Sequence, residues 1–182
     1  MPVFRLIAAA ALILTLAGCA SLGGAGSGPG APQPLKPIDV ERFYSGRWLE
    51  VARLPMDLTD GCVAGATAYA LRRDGKVDVR DTCRVDTPEG RERAISGVGT
   101  FVDPGTNARL RVRYLWLIVW EYWVLDRAED YSWFISSDPT FDKLFIYTRE
   151  APTQAQLDAL IRRASELGYD TDRLEYPEPL TD

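Results

Sequence analysis

The sequence predicts an all-β protein: an eight-stranded antiparallel up-and-down barrel with one α-helix near the C-terminus packed on its outside. Three observations carry this expectation. Arg109-Leu110-Arg111-Val112-Arg113-Tyr114 alternates strictly between charged and apolar side chains, as a strand does with one face in water and the other on an apolar interior. Seven further strand-like runs flank it, separated by the turn signals Asp74-Gly75, Pro88-Glu89-Gly90, Asp103-Pro104-Gly105 and Ser137-Asp138-Pro139. Only one long stretch, the last, has helical spacing. Eight strands close into a cylinder just wide enough for one small ligand, and closure removes exposed sheet edges.

From the N-terminus, Leu6 to Leu16 is an apolar run behind a single Arg5. It is far shorter than the roughly 20 residues of a membrane span and reads as the core of a secretory signal, residues 1–18. Leu16-Ala17-Gly18-Cys19 resembles the lipobox of bacterial lipoproteins. That resemblance implies cleavage before Cys19, which becomes the lipid-bearing N-terminus with two or more acyl chains such as palmitate, and membrane anchoring at about 0.8 kcal/mol per buried CH₂. Ala20, rather than Asp, points to the outer membrane, facing the periplasm. The alternative is an ordinary secretory signal with a chance cysteine. Residues 19–37 include Gly23 to Pro37, a glycine- and proline-rich stretch that cannot bury a core; it reads as a tether spanning on the order of 45 Å at about 3.1 Å per residue. Residues 38–182 form one domain of ordinary size.

The whole chain carries a net charge of −5; without residues 1–18, which hold one Arg and no acid, 20 Lys+Arg face 26 Asp+Glu. An acidic surface is a poor match for nucleic acid, which is not expected as a partner. The absence of histidine closes Ser-His-Asp and Cys-His catalysis and removes the commonest metal ligand. Gly97-Val98-Gly99 lacks the third glycine and following helix of a phosphate-cradling loop. No enzyme activity, cofactor or metal is expected.

The strand-like runs are Trp48 to Leu54, Ala64 to Leu71, Lys76 to Cys83, Ala94 to Val102, Arg109 to Tyr114, Glu121 to Asp126, Tyr131 to Ser137 and Leu144 to Arg149. With Cys19 acylated, Cys62 and Cys83 remain as an even pair in an oxidising compartment. A hairpin turning at Asp74-Gly75, with Leu71 facing Lys76 and Cys62 facing Val85, puts Cys62 diagonally across from Cys83, where a modest bulge could join them. The pair is read as a structural disulfide rather than two free thiols; two thiolates without histidine do not make a zinc site. Thr153-Gln154-Ala155-Gln156 forms a capping box, and Leu157, Leu160, Ile161, Ala164 and Leu167 recur at helical spacing before Gly168. One apolar stripe opposite Arg162, Arg163 and Glu166 describes a helix docked on a sheet.

Gly46-Arg47-Trp48-Leu49-Glu50-Val51-Ala52-Arg53-Leu54-Pro55 resembles the opening signature of the lipocalins, in the branch that holds bacterial outer-membrane and apolipoprotein D-like members. Tyr122-Trp123-Val124-Leu125-Asp126 followed by Asp130-Tyr131-Ser132-Trp133 is similar to the second family signature, and Arg149 to the third, an arginine packed over the floor tryptophan, here Trp48. The likeness runs from about Phe43 to Pro177 and implies a ligand-binding barrel in which Gly46, Trp48 and Arg149 are structural. Period two then turns Glu50 and Ala52 inward with Trp48, aligns Phe145 and Tyr147 with Arg149, and sets Leu110, Val112 and Tyr114 on an inner wall. The candidate ligand-binding residues are Glu50, Ala52, Tyr69, Val79, Val112, Tyr114, Trp116, Trp120, Phe145 and Tyr147. An inward Glu50 must find a partner or neutralise, so it either holds a ligand head group or is hydrogen-bonded by Tyr or Arg.

Leu115-Trp116-Leu117-Ile118-Val119-Trp120-Glu121 departs from the family pattern, being too apolar for an ordinary loop. Either it lies at the barrel mouth, covering ligand, membrane or partner, or two long strands make it core. The resemblance implies binding of fatty acids, lysophospholipids or similar amphiphiles. The alternative is an envelope protein whose barrel is filled by its own side chains and whose apolar mouth docks a partner; oligomeric state is not legible.

Overall fold

The computed structural model describes residues 30–34, 36–115, 117–178 and 180; Cys19, the signal, part of the tether and Trp116 lie outside them. A short helix, α1 (Val40–Phe43), precedes strands β1 (Gly46–Arg53), β2 (Cys62–Leu71), β3 (Val77–Val85), β4 (Glu92–Phe101), β5 (Arg109–Tyr114), β6 (Ile118–Arg127), β7 (Trp133–Ser137) and β8 (Leu144–Thr148), and a second helix, α2 (Gln154–Glu166), follows them. Each strand pairs antiparallel with the next and β8 returns to β1, so the sheet is a closed barrel in sequence order. One end carries α1 and the β2–β3, β4–β5 and β6–β7 connections. The other carries the β1–β2, β3–β4, β5–β6 and β7–β8 connections.

One register and one strand boundary differ from the sequence expectation. Leu71 pairs with Val77 rather than Lys76, because Arg72 to Lys76 form the turn, with Gly75 at φ 76° and the Arg72 N–H donating to the Lys76 carbonyl at 2.8 Å. A bulge at Val63 then sets Cys62 opposite Val85 while Cys83 lies opposite Gly65, and the two cysteines are joined as a disulfide with Cα atoms 5.5 Å apart. The segment after Tyr114 is largely strand: β6 starts at Ile118, opposite Tyr114, with Leu115 and Leu117 in turn conformation before it.

The helical end is shut by aromatic packing. Asp39 caps α1, its carboxylate accepting from the N–H groups of Glu41 and Arg42, and sends Phe43 and Tyr44 into the barrel, where both are buried with Trp48. Phe134 meets Trp48 edge-on at 4.7 Å and Phe43 at 4.8 Å. Arg149 lies over the Trp48 ring, 3.5 Å from its centroid, and donates to the carbonyls of Arg42, Phe43, Ser45 and Arg47. Trp48 Nε1 donates to the Phe43 carbonyl at 3.2 Å. Gly46 starts β1 at φ 65°, a conformation that a side chain would strain, and so lets the chain turn from α1 into the strand beneath Arg149.

A second apolar cluster covers the outside of the barrel. Thr153 and Gln156 complete the capping box of α2, and Leu160 and Ala164 on its buried stripe cluster with Leu49, Val51, Ala52, Leu125, Ile135 and Ile146. Asp126 on β6 ties the helix and the N-terminal segment to the barrel, with Arg163 Nε at 2.6 Å and Lys36 Nζ at 2.9 Å. Burial by itself would raise the Asp126 carboxyl, but hydrogen bonds from Lys36, Arg163 and the Arg127 N–H hold it below its ordinary range.

Trp48→Ala should therefore cost about 3–5 kcal/mol of unfolding free energy, read from denaturant titration, because it removes a buried ring and leaves the Arg149 clamp without its platform. Asp126→Asn should lower stability at pH 7 by about 1 kcal/mol, since solvent screens both of its cationic partners. A carboxyl held low in the folded state stabilises above its unfolded value of about 3.9 and stops doing so as pH falls through the folded value. Thermal melts of parent and variant should accordingly converge in acid; a gap that persists at low pH would show that the ion pairs do not carry it.

Candidate functional site

Inside the closed cylinder the lumen divides in two. The lower part is filled: Phe43, Trp48, Val77, Val79, Leu110, Val112 and Phe134 pack into one cluster, with Tyr69 against Phe43 and Tyr44. Above it opens a cavity of about 590 Å³, within the roughly 300–1,000 Å³ range of small-molecule pockets. A groove of about 820 Å³ beside α2 is larger but lies outside the barrel, among ion-paired side chains.

The cavity's deep end is polar and its rim apolar. Glu50 projects inward from β1, and Gly65 opposite supplies the room: a Cβ there would come within 3.2 Å of the Glu50 carboxylate. Arg53 Nη1 donates to Glu50 Oε1 at 2.6 Å, and Tyr147 also hydrogen-bonds Glu50. Arg53 is otherwise occupied by Glu175 Oε2 at 2.9 Å and the Cys62 carbonyl at 2.8 Å. On β3, Asp81 accepts from the Tyr114 hydroxyl, which lies 3.0 Å from that of Tyr122. Burial pushes both carboxyls above the ordinary range, at Glu50 against the opposing pull of Arg53 and at Asp81 against hydrogen bonding to Tyr114. Burial likewise raises the hydroxyls of Tyr114, Tyr122 and Tyr147, so these remain neutral donors. Toward the mouth the wall is made by Met56, Leu58, Ile95, Leu115, Ile118 and Trp120. Leu115 is 67% exposed and Leu117 82%, so the β5–β6 turn stands out from the rim as an apolar tip.

Of the residues singled out in the sequence, Glu50, Tyr114, Trp120, Phe145 and Tyr147 line this cavity. Tyr69, Val79 and Val112 face the lumen but belong to the packed lower part. Ala52 does not face the lumen at all: it is buried in the outer cluster with Leu49 and α2. The reason is a bulge. Opposite β8, Glu50 pairs with Tyr147 and Ala52 with Ile146, so Val51 is an extra residue, period two is broken, and Arg53 turns inward opposite Phe145 where Ala52 was expected. Trp116 lies outside the described residues.

The sequence reading missed Arg53, Asp81 and Tyr122. Asp81 was within reach of it, since Val77, Val79, Asp81 and Cys83 share one face by alternation. Arg53 was not, because Glu50 and Arg53 have opposite parity and meet only through the bulge. Among the described residues no group of three or more metal-ligating side chains occurs. The donors present are suited to hydrogen-bonding or ion-pairing a ligand's polar end, and the rim to enclosing its apolar part.

Comparison with known proteins gives the same architecture. The lipocalin-like domain family matches residues 38–179. The chain is similar to outer membrane lipoprotein Blc of Vibrio cholerae, 33% identical over 153 residues that cover 81% of this chain and 88% of that protein. It is 30% identical to temperature-induced lipocalin-1 of Arabidopsis thaliana over 77% of this chain and 78% of the relative, and 30% identical to apolipoprotein D of Macaca fascicularis over 66% and 65%. Among solved structures, lobster apocrustacyanin A1 superposes with a TM-score of 0.58 at 14% identity, covering 84% of this chain and 92% of that one. Insecticyanin of the tobacco hornworm Manduca sexta does so with a TM-score of 0.59 at 19% identity, covering 80% and 83%; these two likenesses establish the fold alone. With the Trp48–Arg149 floor, the closed eight-stranded barrel and a family match spanning the whole folded domain, the chain belongs to the lipocalin family.

Proposed function

We propose that this lipocalin binds single-chain amphiphiles, such as fatty acids or lysophospholipids, in the upper barrel while held by acyl chains on Cys19 at the periplasmic face of the outer membrane. The observation that carries the binding reading is the cavity of about 590 Å³, with a mostly apolar upper wall and the carboxylates of Glu50 and Asp81 below it. Burying an alkyl chain there gains roughly 25 cal/mol per Å² of apolar area removed from water. A barrel filled by its own side chains was the premise of the partner-docking alternative, and an open cavity of this size argues against it.

The anchoring reading rests on the lipobox-like Leu16-Ala17-Gly18-Cys19 and is supported by the likeness to an outer membrane lipoprotein. The course of the described N-terminal segment fits it. Ile38 bonds Thr106 at the closed end, whereas Ala31 donates to the Pro139 carbonyl in the β7–β8 connection at the open end. The chain therefore runs up the outside of the barrel and arrives beside the mouth, and the mouth is where Leu115, Leu117, Ile118 and Val119 are exposed. An anchor leading from that side would hold the apolar rim toward the leaflet from which an amphiphile is drawn.

The purified protein should bind a fluorescent fatty acid saturably, one per chain, with quenching of Trp120, and extracted lipids should co-purify with it. Ile118→Asp, at the half-exposed rim, should weaken binding about tenfold without lowering the melting temperature. Failure to bind any chain between about eight and eighteen carbons, by fluorescence or calorimetry, would remove the reading.

A further inference from the structure

We infer that the cavity takes its ligand head first and selects a cationic head, a protonated long-chain amine in preference to a fatty-acid carboxylate. This deepens the amphiphile-binding reading above and rests on it. Two carboxylates, Glu50 and Asp81, and one guanidinium, Arg53, line the cavity, Arg53 starting from the mouth end of β1 and reaching Glu50. Four of the five N–H donors of Arg53 are committed: one on Nη1 to Glu50 at 2.6 Å, Nε to Glu175 at 2.9 Å, and Nη2 to the carbonyls of Cys62 at 2.8 Å and Thr59 at 3.5 Å. Asp81 carries the Tyr114 hydroxyl and, among the described residues, no ion pair. Asp81 is thus an excess acceptor, a partly buried carboxylate facing the cavity whose cation is not supplied by the described residues.

Each way of filling the cavity can be weighed against that acceptor. A carboxylate head driven inward meets two carboxylates and an arginine already largely committed. A chain inserted tail first sets its terminal methyl against Glu50 and Asp81 and costs them what hydration the open cavity allows. An ammonium head inserted first gives Asp81 a charge-assisted partner, can accompany it with Tyr114 and Tyr122, and leaves the alkyl chain running up past Ile95 and Trp120 to the apolar rim. The gradient of polarity, wet below and greasy above, fits that direction alone. The raised carboxyl at Asp81 agrees with the same geometry, since burial is its first cause and no cation opposes it, whereas at Glu50 the burial is opposed by Arg53. The rim does hold one further cation, Arg93, whose Nη2 donates to the carbonyls of Leu58 and Asp60. A tail-first carboxylate would lie beside this group at the rim, so Arg93 serves to separate the two orientations.

The test uses the full chain and three probes that share one chain length and differ in the head: dodecylamine, dodecanol and dodecanoate, titrated near neutral pH by displacement of a fluorescent fatty-acid analogue. Dodecylamine should bind about tenfold or more tighter than either of the others. Asp81→Asn should erase that preference while leaving dodecanol within about twofold of the parent, and Arg93→Gln should leave the order of the three unchanged. The order within the unaltered protein is itself decisive if Asp81→Asn folds poorly. Dodecanoate binding as tightly as the amine, or a preference abolished by Arg93→Gln, would overturn the inference and leave the amphiphile reading standing. Absence of binding by all three would end both.

Discussion

The seam between β1 and β8 decides what this barrel can do. Closing the cylinder obliges β1 to pair on both sides, with β2 in unbroken register and with β8 across one extra residue, Val51. Below the bulge, Trp48 and Glu50 face inward by ordinary alternation. Above it, the phase is inverted, so that Ala52 joins the outer cluster and Arg53 enters the lumen. A regular strand would have exposed Arg53 and left Glu50 buried without its guanidinium, a loss that normally costs several kcal/mol. The bulge is thus the backbone expression of an ion pair whose members are three residues apart.

The same seam separates two kinds of interior. On the floor side, polar groups serve closure: Arg149 spans the carbonyls that lead out of α1 and flattens itself on Trp48, so the end of the barrel is stoppered by side chains whose donors and acceptors are satisfied. On the mouth side, polar groups are left facing space. The transition falls at the ring of Glu50, Asp81, Tyr114, Tyr122 and Tyr147, which sits on top of the packed aromatic and branched side chains. A lumen packed throughout to native density would have no such ring, because nothing in it would remain for a guest to satisfy.

How much of this the sequence discloses depends on which physical rule is at work. Strand count, order and the docked helix were legible because they rest on periodicity and turn chemistry: the Arg109–Tyr114 alternation, Asp74-Gly75, and the Thr153/Gln156 box all act locally. The disulfide was nearly so, missing only one residue of register in the β2–β3 turn. At Leu115–Glu121 the strands are indeed longer, with β6 starting at Ile118, but the segment is not core: Leu115, Leu117, Ile118 and Val119 are exposed at the mouth. What alternation could not reveal was depth. Val79, Val112 and Tyr114 all point inward, yet only Tyr114 reaches the cavity, because height along the barrel is set by strand tilt and by which large side chains fill the floor. Ala52 and Arg53 exchanged faces for the separate reason of the bulge, which has no signature in single-sequence periodicity.

Arg53 also couples the cavity to parts of the chain far from it. Its own backbone exchanges hydrogen bonds with Glu175, its Nε meets the Glu175 carboxylate, and its Nη2 reaches the carbonyl of Cys62, whose sulfur is bonded to Cys83. The C-terminal tail, the disulfide hairpin and β1 therefore converge on one guanidinium. Held by so many fixed acceptors, Arg53 cannot swing toward an incoming anion without breaking contacts outside the cavity, so the charge pattern at the base is preorganised rather than adaptable. In such a site selectivity follows from what the protein withholds. The arginine spends its charge on the scaffold, and the carboxylate left over at Asp81 sets the sign of the guest.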